Sequence, residues 1–165
     1  MVAVAMIATG AFAQTEKGKI YVGAASNLGF NNVKYDGADK STSYFNLGAK
    51  GGYFVIDNLA INLGLNFESV SGDNGSTDFG FNIGGRYYFP PKVFLGAMFD
   101  FDSFKPKGGD SASGMGLTFE GGYAIFLNDN IAIEPALTYR LGLSDKDKGT
   151  KFNQFGINIG FGLYF

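Results

Sequence analysis

Eight charged side chains alternate with apolar residues along the chain, and they are the groups best equipped for chemistry: Lys50, Glu68, Arg86, Asp100, Asp102, Glu120, Glu134 and Arg140. Asp100 with Asp102, or either with Glu68, has the residue types of an acid–base pair. Two arginines and a lysine share their phase, so mutual neutralisation is the simpler use of these ions, and an ion-paired structural network is expected. His and Cys are both 0. Imidazole bases, Ser-His-Asp triads, thiolate nucleophiles, disulfides and the commonest transition-metal ligands are thereby removed. Asp145-Lys146-Asp147-Lys148-Gly149 echoes the start of a calcium loop. It lacks the third oxygen ligand and the later Glu, and its lysines oppose a dication, so a solvated loop is expected. Lys105-Pro106-Lys107 forms no motif. The expectation is no catalysis, no cofactor and no metal.

The elements that must position these ions have a period of two. Apolar residues alternate with small or polar ones in eight runs: Ile20 to Phe30, Phe45 to Val55, Leu59 to Phe67, Phe79 to Phe89, Val93 to Phe101, Met115 to Ile125, Ile131 to Leu141 and Phe155 to Phe165. The connections also alternate. Ile56-Asp57-Asn58, Pro90-Pro91-Lys92 and Asn128-Asp129-Asn130 are tight turns, whereas Asn31 to Ser43, Ser71 to Thr77, Ser103 to Ala112 and Ser144 to Lys151 are longer and hydrophilic. Short turns at one end and loops at the other describe an antiparallel up-and-down meander. The hairpin texts at Gly51, Gly84 and Gly121 repeat weakly, each placing an aromatic shortly before the turn.

Composition bounds the class. The chain has 165 residues, one domain by length, with 26 Gly, 18 Phe and 9 Tyr, a mixture that favours strands. A net charge of −2 gives nucleic acid no basic patch to bind. Charged residues are 17%, well below the roughly 25% of a soluble domain. The apolar phase of all eight runs holds no Asp, Glu, Lys or Arg, while the opposite phase is Gly, Asn and Thr with the eight ions. A soluble barrel would need a water-facing surface rich in Lys, Glu, Ser and Thr. The reverse arrangement fits better: apolar residues toward lipid, and a narrow lumen in which glycines leave room and ions pair.

Strands of ~9 to 11 residues cross a bilayer, and closure into a barrel pairs every backbone polar group that lipid would strand. Aromatics gather at both ends of the apolar phase. Tyr53, Tyr87, Phe89, Tyr123 and Phe165 lie near the short turns, and Phe30, Phe45, Phe67, Phe79, Phe101, Tyr139 and Phe155 near the loops. Two such girdles are expected of a membrane barrel, although a soluble aromatic core is the competing interpretation.

Residues 1–13 form an apolar run that closes on Ala11-Phe12-Ala13 before Gln14, as a secretory signal peptide does. The positive n-region does not precede it, which leaves open an earlier start to the precursor. A buried strand or short helix is the alternative.

With GGYFVIDNLAI, YYFPPKVFLGA, GGYAIFLNDNIAIEP and the closing FGINIGFGLYF in view, the stretch from Lys19 to Phe165 resembles the small eight-stranded bacterial outer-membrane β-barrel proteins, in variants common in Bacteroidetes-type bacteria. The resemblance implies residence in the outer membrane and contact with its lipid. It also implies that the barrel-assembly machinery recognises a last strand ending in an aromatic, here Phe165 with Phe161 and Leu163. An all-β, eight-stranded antiparallel transmembrane barrel over residues 14–165 is therefore expected, as a monomer with a structural, envelope or surface-adhesion role. A narrow pore or small-solute conduit is the main alternative, and a soluble lipocalin-like ligand carrier a third.

Overall fold

A computed structural model of the chain describes residues 13–25, 29–33, 42–72, 75–145 and 153–165. Strands dominate it: β1 (Ile20–Ala25), β2 (Gly29–Val33), β3 (Thr42–Ile56), β4 (Leu59–Val70), β5 (Ser76–Phe89), β6 (Val93–Pro106), β7 (Ala112–Tyr123), β8 (Ile125–Phe126), β9 (Ile131–Asp145) and β10 (Asn153–Tyr164). β1 and β2 both pair with β3 and make one stave; β7 and β8 both pair with β9 and make another. The eight staves run antiparallel in sequence order, and β1 meets β10 with Tyr21 opposite Tyr164, so the barrel is closed. The seam closes in the short-turn half, where β1 pairs with β3 on one side and with Gly160 to Tyr164 of β10 on the other; among the described residues no pairing joins β2 to the loop half of β10.

Alternation sets the two faces. The outward phase carries the large apolar side chains: Leu95, Ile157 and Phe161 keep 56%, 75% and 52% of their surface exposed. In a soluble protein so much bare apolar area would drive aggregation; here it is the continuous band that a bilayer requires. Tyr53, Tyr87, Phe89, Tyr123 and Phe165 are exposed at its short-turn edge, and Phe45, Phe67, Phe79, Phe101, Tyr139 and Phe155 at the other.

Two features depart from the sequence-based boundaries. Strands run farther than expected at the loop end: β6 continues from Ser103 to Pro106, paired through to Ser76 of β5, and β9 reaches Asp145. Polar residues such as Ser, Lys and Thr pair their backbones there as readily as apolar ones do, and hydropathy alternation does not register it. The connections after β4 and β6 shrink accordingly. The register also shifts between Phe54 and Ile56 of β3, so Val55 sits in a bulge and Ile56, not Val55, becomes an exposed apolar residue. Leu28, most of the loop from Asn31 to Ser43, Lys146 to Gly149 and residues 1–12 of the expected signal peptide lie outside the described residues.

The buried core lies inside the lumen, in the short-turn half, where Tyr21, Phe54, Tyr88, Phe94 and Tyr164 are each at most 1% exposed. Their rings meet tilted, stacked or, for Tyr88 and Tyr164, edge to face, at centroid distances of 5.6 to 6.5 Å. A lumen this narrow cannot hold two large side chains at every cross-strand pair, and glycine is the partner at several of them. Tyr21 stands opposite Gly52, Phe94 opposite Gly122 and Glu120 opposite Gly96. A Cβ on Gly52 would lie 2.2 Å from Tyr21 Cε1, and one on Gly96 2.7 Å from Glu120 Oε1. The inward glycines therefore seat their neighbours' side chains instead of leaving open room.

Candidate functional site

Arg86 on β5 is the centre of the lumen. Its side chain is fully buried, and it reaches β7 and β9. Nε donates to Glu120 Oε1 at 2.7 Å and Nη2 to Glu120 Oε2 at 2.9 Å, a bidentate clasp. Nη1 donates to Glu134 Oε2 at 2.7 Å and to the Tyr88 hydroxyl at 3.0 Å. The Tyr88 and Tyr164 hydroxyls are 3.0 Å apart, and Tyr164 donates to Glu134. Since Tyr164 spends its proton on Glu134, Tyr88 is the donor to Tyr164, so Arg86 reaches Glu134 by two routes, directly and through the Tyr88 and Tyr164 hydroxyls, with the carboxylate accepting from both. The guanidinium also lies over the Phe94 ring, 4.0 Å from its centroid. Lys50 Nζ stands 3.7 Å from Glu120 and 3.9 Å from Glu134. Two cations thus face two carboxylates, the balance a buried cluster needs.

A second cluster lies nearer the loops. Arg140 on β9 bonds Asp102, its Nε is 3.5 Å from Asp100, and Thr118 donates to Asp100 at 2.5 Å. Between the clusters is a cavity of about 240 Å³ lined by Lys50, Asn66, Asn82, Asp100, Thr118 and Asn158. The cavity ends at the Arg86 cluster, beneath which the aromatic core fills the lumen.

Of the eight expected ions, seven fall into these two clusters rather than one network. Glu68 joins neither: it is exposed toward the loop end of β4, directly opposite Asp78 of β5, and among the described residues no ion pair reaches it. Alternation fixed its face but not its height along the strand. Alternation alone does not single out Tyr21, Phe54 and Tyr164. Adjacent aromatics carried the signal, as in Tyr53-Phe54, Tyr87-Tyr88 and Tyr164-Phe165: of two neighbours on a strand one must face inward.

A base closes the short-turn mouth, and nothing in the alternation announced it. The 3₁₀ turn η1 (Ala13–Thr15) places Thr15, fully buried, beneath the lumen. Asn58 N donates to Thr15 O at 2.7 Å, the Thr15 hydroxyl donates to Asn58 Oδ1 at 2.6 Å, and Lys92 Nζ donates to the Thr15 hydroxyl at 2.8 Å. Asn58 and Lys92 both take positive φ, 66° and 107°, in the two turns that support this contact. Burial holds the Lys92 ammonium down to a pKa of about 8.

Nothing here is arranged as a catalytic set. The carboxylates are engaged by guanidinium or hydroxyl donors, and among the described residues no group of three or more Asp or Glu is placed to hold a metal ion. Phe161, Leu163 and Phe165 lie outward along the end of β10 and past it, 52%, 41% and 60% exposed.

Comparison with known proteins agrees with this architecture. Neisserial surface protein A superposes with a TM-score of 0.57 at 15% identity, over 89% of this chain and 96% of that one. The N-terminal β-barrel domain of Pseudomonas aeruginosa OprF gives 0.56 at 13% identity, over 90% and 98%. Yersinia pestis outer membrane protein Ail in a nanodisc gives 0.56 at 16%, over 90% and 100%. Among functionally curated proteins none matches the sequence. A family model described as the outer membrane protein beta-barrel domain matches residues 1–165. A soluble lipocalin-like carrier is thereby set aside: the chain belongs to the outer-membrane protein β-barrel family and resides in the bacterial outer membrane.

Proposed function

We propose that this protein is a monomeric, non-enzymatic barrel that serves the envelope as a structural element and displays its loops for surface adhesion. The observation that carries the reading is the filled lumen: the Arg86, Glu120, Glu134, Tyr88 and Tyr164 ring with the aromatic core below it. Eight staves enclose an interior just wide enough for side chains, and this one holds buried side chains across its short-turn half. With no imidazole or thiol, and with the carboxylates of both lumen clusters engaged by Arg86, Arg140, Tyr164 and Thr118, the lumen hydroxyls have no base to activate them. At the other end, Lys107 Nζ donates to Gly72 O at 3.0 Å and ties two loops together beside a pocket of about 480 Å³. Tied loops on a rigid barrel suit the presentation of a fixed surface.

A narrow conduit is the second reading, and the cavity of about 240 Å³ in the loop half favours it. Planar-bilayer recording separates the two. A flat trace with the intact protein is expected, and reproducible single-molecule ion steps would overturn the scaffold reading in favour of a channel.

A further inference from the structure

We propose that the loop half of the lumen is a binding cup for one neutral pyranose ring, held by the side-chain amides of Asn66 and Asn82. The proposal goes beyond the scaffold reading and does not rest on it, because binding in a blind cup needs no conduction. The cup is the cavity of about 240 Å³ that ends at the Arg86 cluster. It is smaller than the roughly 300 to 1,000 Å³ of sites for drug-sized ligands, so it suits a small ring and not a chain.

Its walls carry polar groups that the fold leaves unused. Asn66 on β4 and Asn82 on β5 both line the cup, and among the described residues neither side-chain amide makes a hydrogen bond. Asn158 on β10 spends Nδ2 on the Thr138 hydroxyl at 3.0 Å and keeps Oδ1 open to the cup. Asn82 stands opposite Gly64 of the neighbouring strand, where a Cβ would overlap its amide. That glycine seats the amide before any ligand arrives, which lowers the cost of binding.

These groups select hydroxyls. A side-chain amide offers an acceptor and two donors side by side, and two vicinal hydroxyls, each both donor and acceptor, answer them. Anions are opposed: Asp100 and Asp102 share Arg140 as their cation, and Glu68 faces Asp78 nearer the loops. A cation fares no better inside the cup, since its carboxylates are engaged by Arg86, Arg140 and Thr118. Phe94, Met98 and Ala136 complete the lining with apolar surface, which matches the C–H face of a sugar ring.

The test is a titration of the full protein in lipid nanodiscs, reading the side-chain NH₂ signals of Asn66 and Asn82 by proton–nitrogen correlation NMR. The probes are the methyl pyranosides of glucose, galactose and mannose, with sodium phosphate as the anion control. Expected is a saturable shift of both signals with at least one pyranoside, at a Kd of about 1 mM or weaker, and none with phosphate. No shift with any of the three at about 100 mM, a shift that grows without saturating, or an equal shift with phosphate would overturn the proposal. As a second arm, the folded double variant Asn66→Ala, Asn82→Ala is expected to bind about tenfold more weakly, read at the Asn158 amide. An Asn158 titration identical to that of the wild type would overturn the role of the two amides. The first titration uses the unaltered chain, so its result stands on its own if the double variant does not fold.

Discussion

Arg86 uses four donor contacts on two glutamates and a tyrosine, all inside the lumen. Truncating it strands two carboxylates that no other side chain can fully serve, because Lys50 is no nearer than 3.7 Å. Arg86→Ala is expected to lower stability by about 3 to 5 kcal/mol, read as a shift of the urea unfolding midpoint in lipid or detergent. Arg140 is 20% exposed and its partners 12% and 28%, so Arg140→Ala should cost only about 1 kcal/mol. Equal effects would contradict the division into a buried and a wetter cluster. Lys92 gives a pH signature outside the spanning strands. Its folded pKa of about 8 lies below the usual lysine value, so the folded state binds fewer protons than the unfolded one between these limits. Stability therefore rises with pH across that window and is flat below it. The rise should vanish in Lys92→Met; a wild type whose Tm does not increase between pH 7.5 and 10 would refute it. At this scale the sequence showed which residues face inward, since charge and apolar phase never mix. Height along the strand was not legible, which is why Glu68 was grouped with ions it does not meet.

Among elements, the governing constraint is space between neighbouring strands. Tyr21 on β1 lies over Gly52 on β3, where a Cβ would intrude to 2.2 Å. Gly52→Ala is thus expected to destabilise the barrel by about 1 to 3 kcal/mol, and Tyr21→Ala in the same chain should recover part of the loss, measured as a double-mutant cycle. Additive effects would show that the two strands do not compete for this volume. The eight staves were legible because lipid and lumen impose opposite chemistry on alternate residues of each strand. Their loop ends were not, since outside the hydrocarbon layer backbone pairing continues without an apolar phase, as at Lys105 opposite Thr77. The base formed by Thr15, Asn58 and Lys92 was equally hidden: its residues come from three separate turns, and no periodicity relates them.

The whole molecule combines an outward apolar band, two aromatic edges and a lumen filled from the short-turn side. The end of β10 adds a biogenesis question, for which Phe161, Leu163 and Phe165 are the proposed recognition face. Phe165→Ala is expected to reduce the folded protein recovered from outer membranes several-fold while leaving the barrel of correctly inserted molecules unchanged. Recovery equal to the wild type would remove that role. The central claim concerns which face meets lipid, and the absence of cysteine makes it directly testable, because one introduced thiol labels one site. Leu95 is 56% exposed on the outward face of β6, and Met98, three residues on, lines the lumen cavity. With a fluorophore on Leu95→Cys or Met98→Cys in bilayers containing acyl-chain-brominated lipid, strong quenching at position 95 and little at 98 is the expected result. Equal quenching at both positions, or quenching confined to 98, would contradict the account.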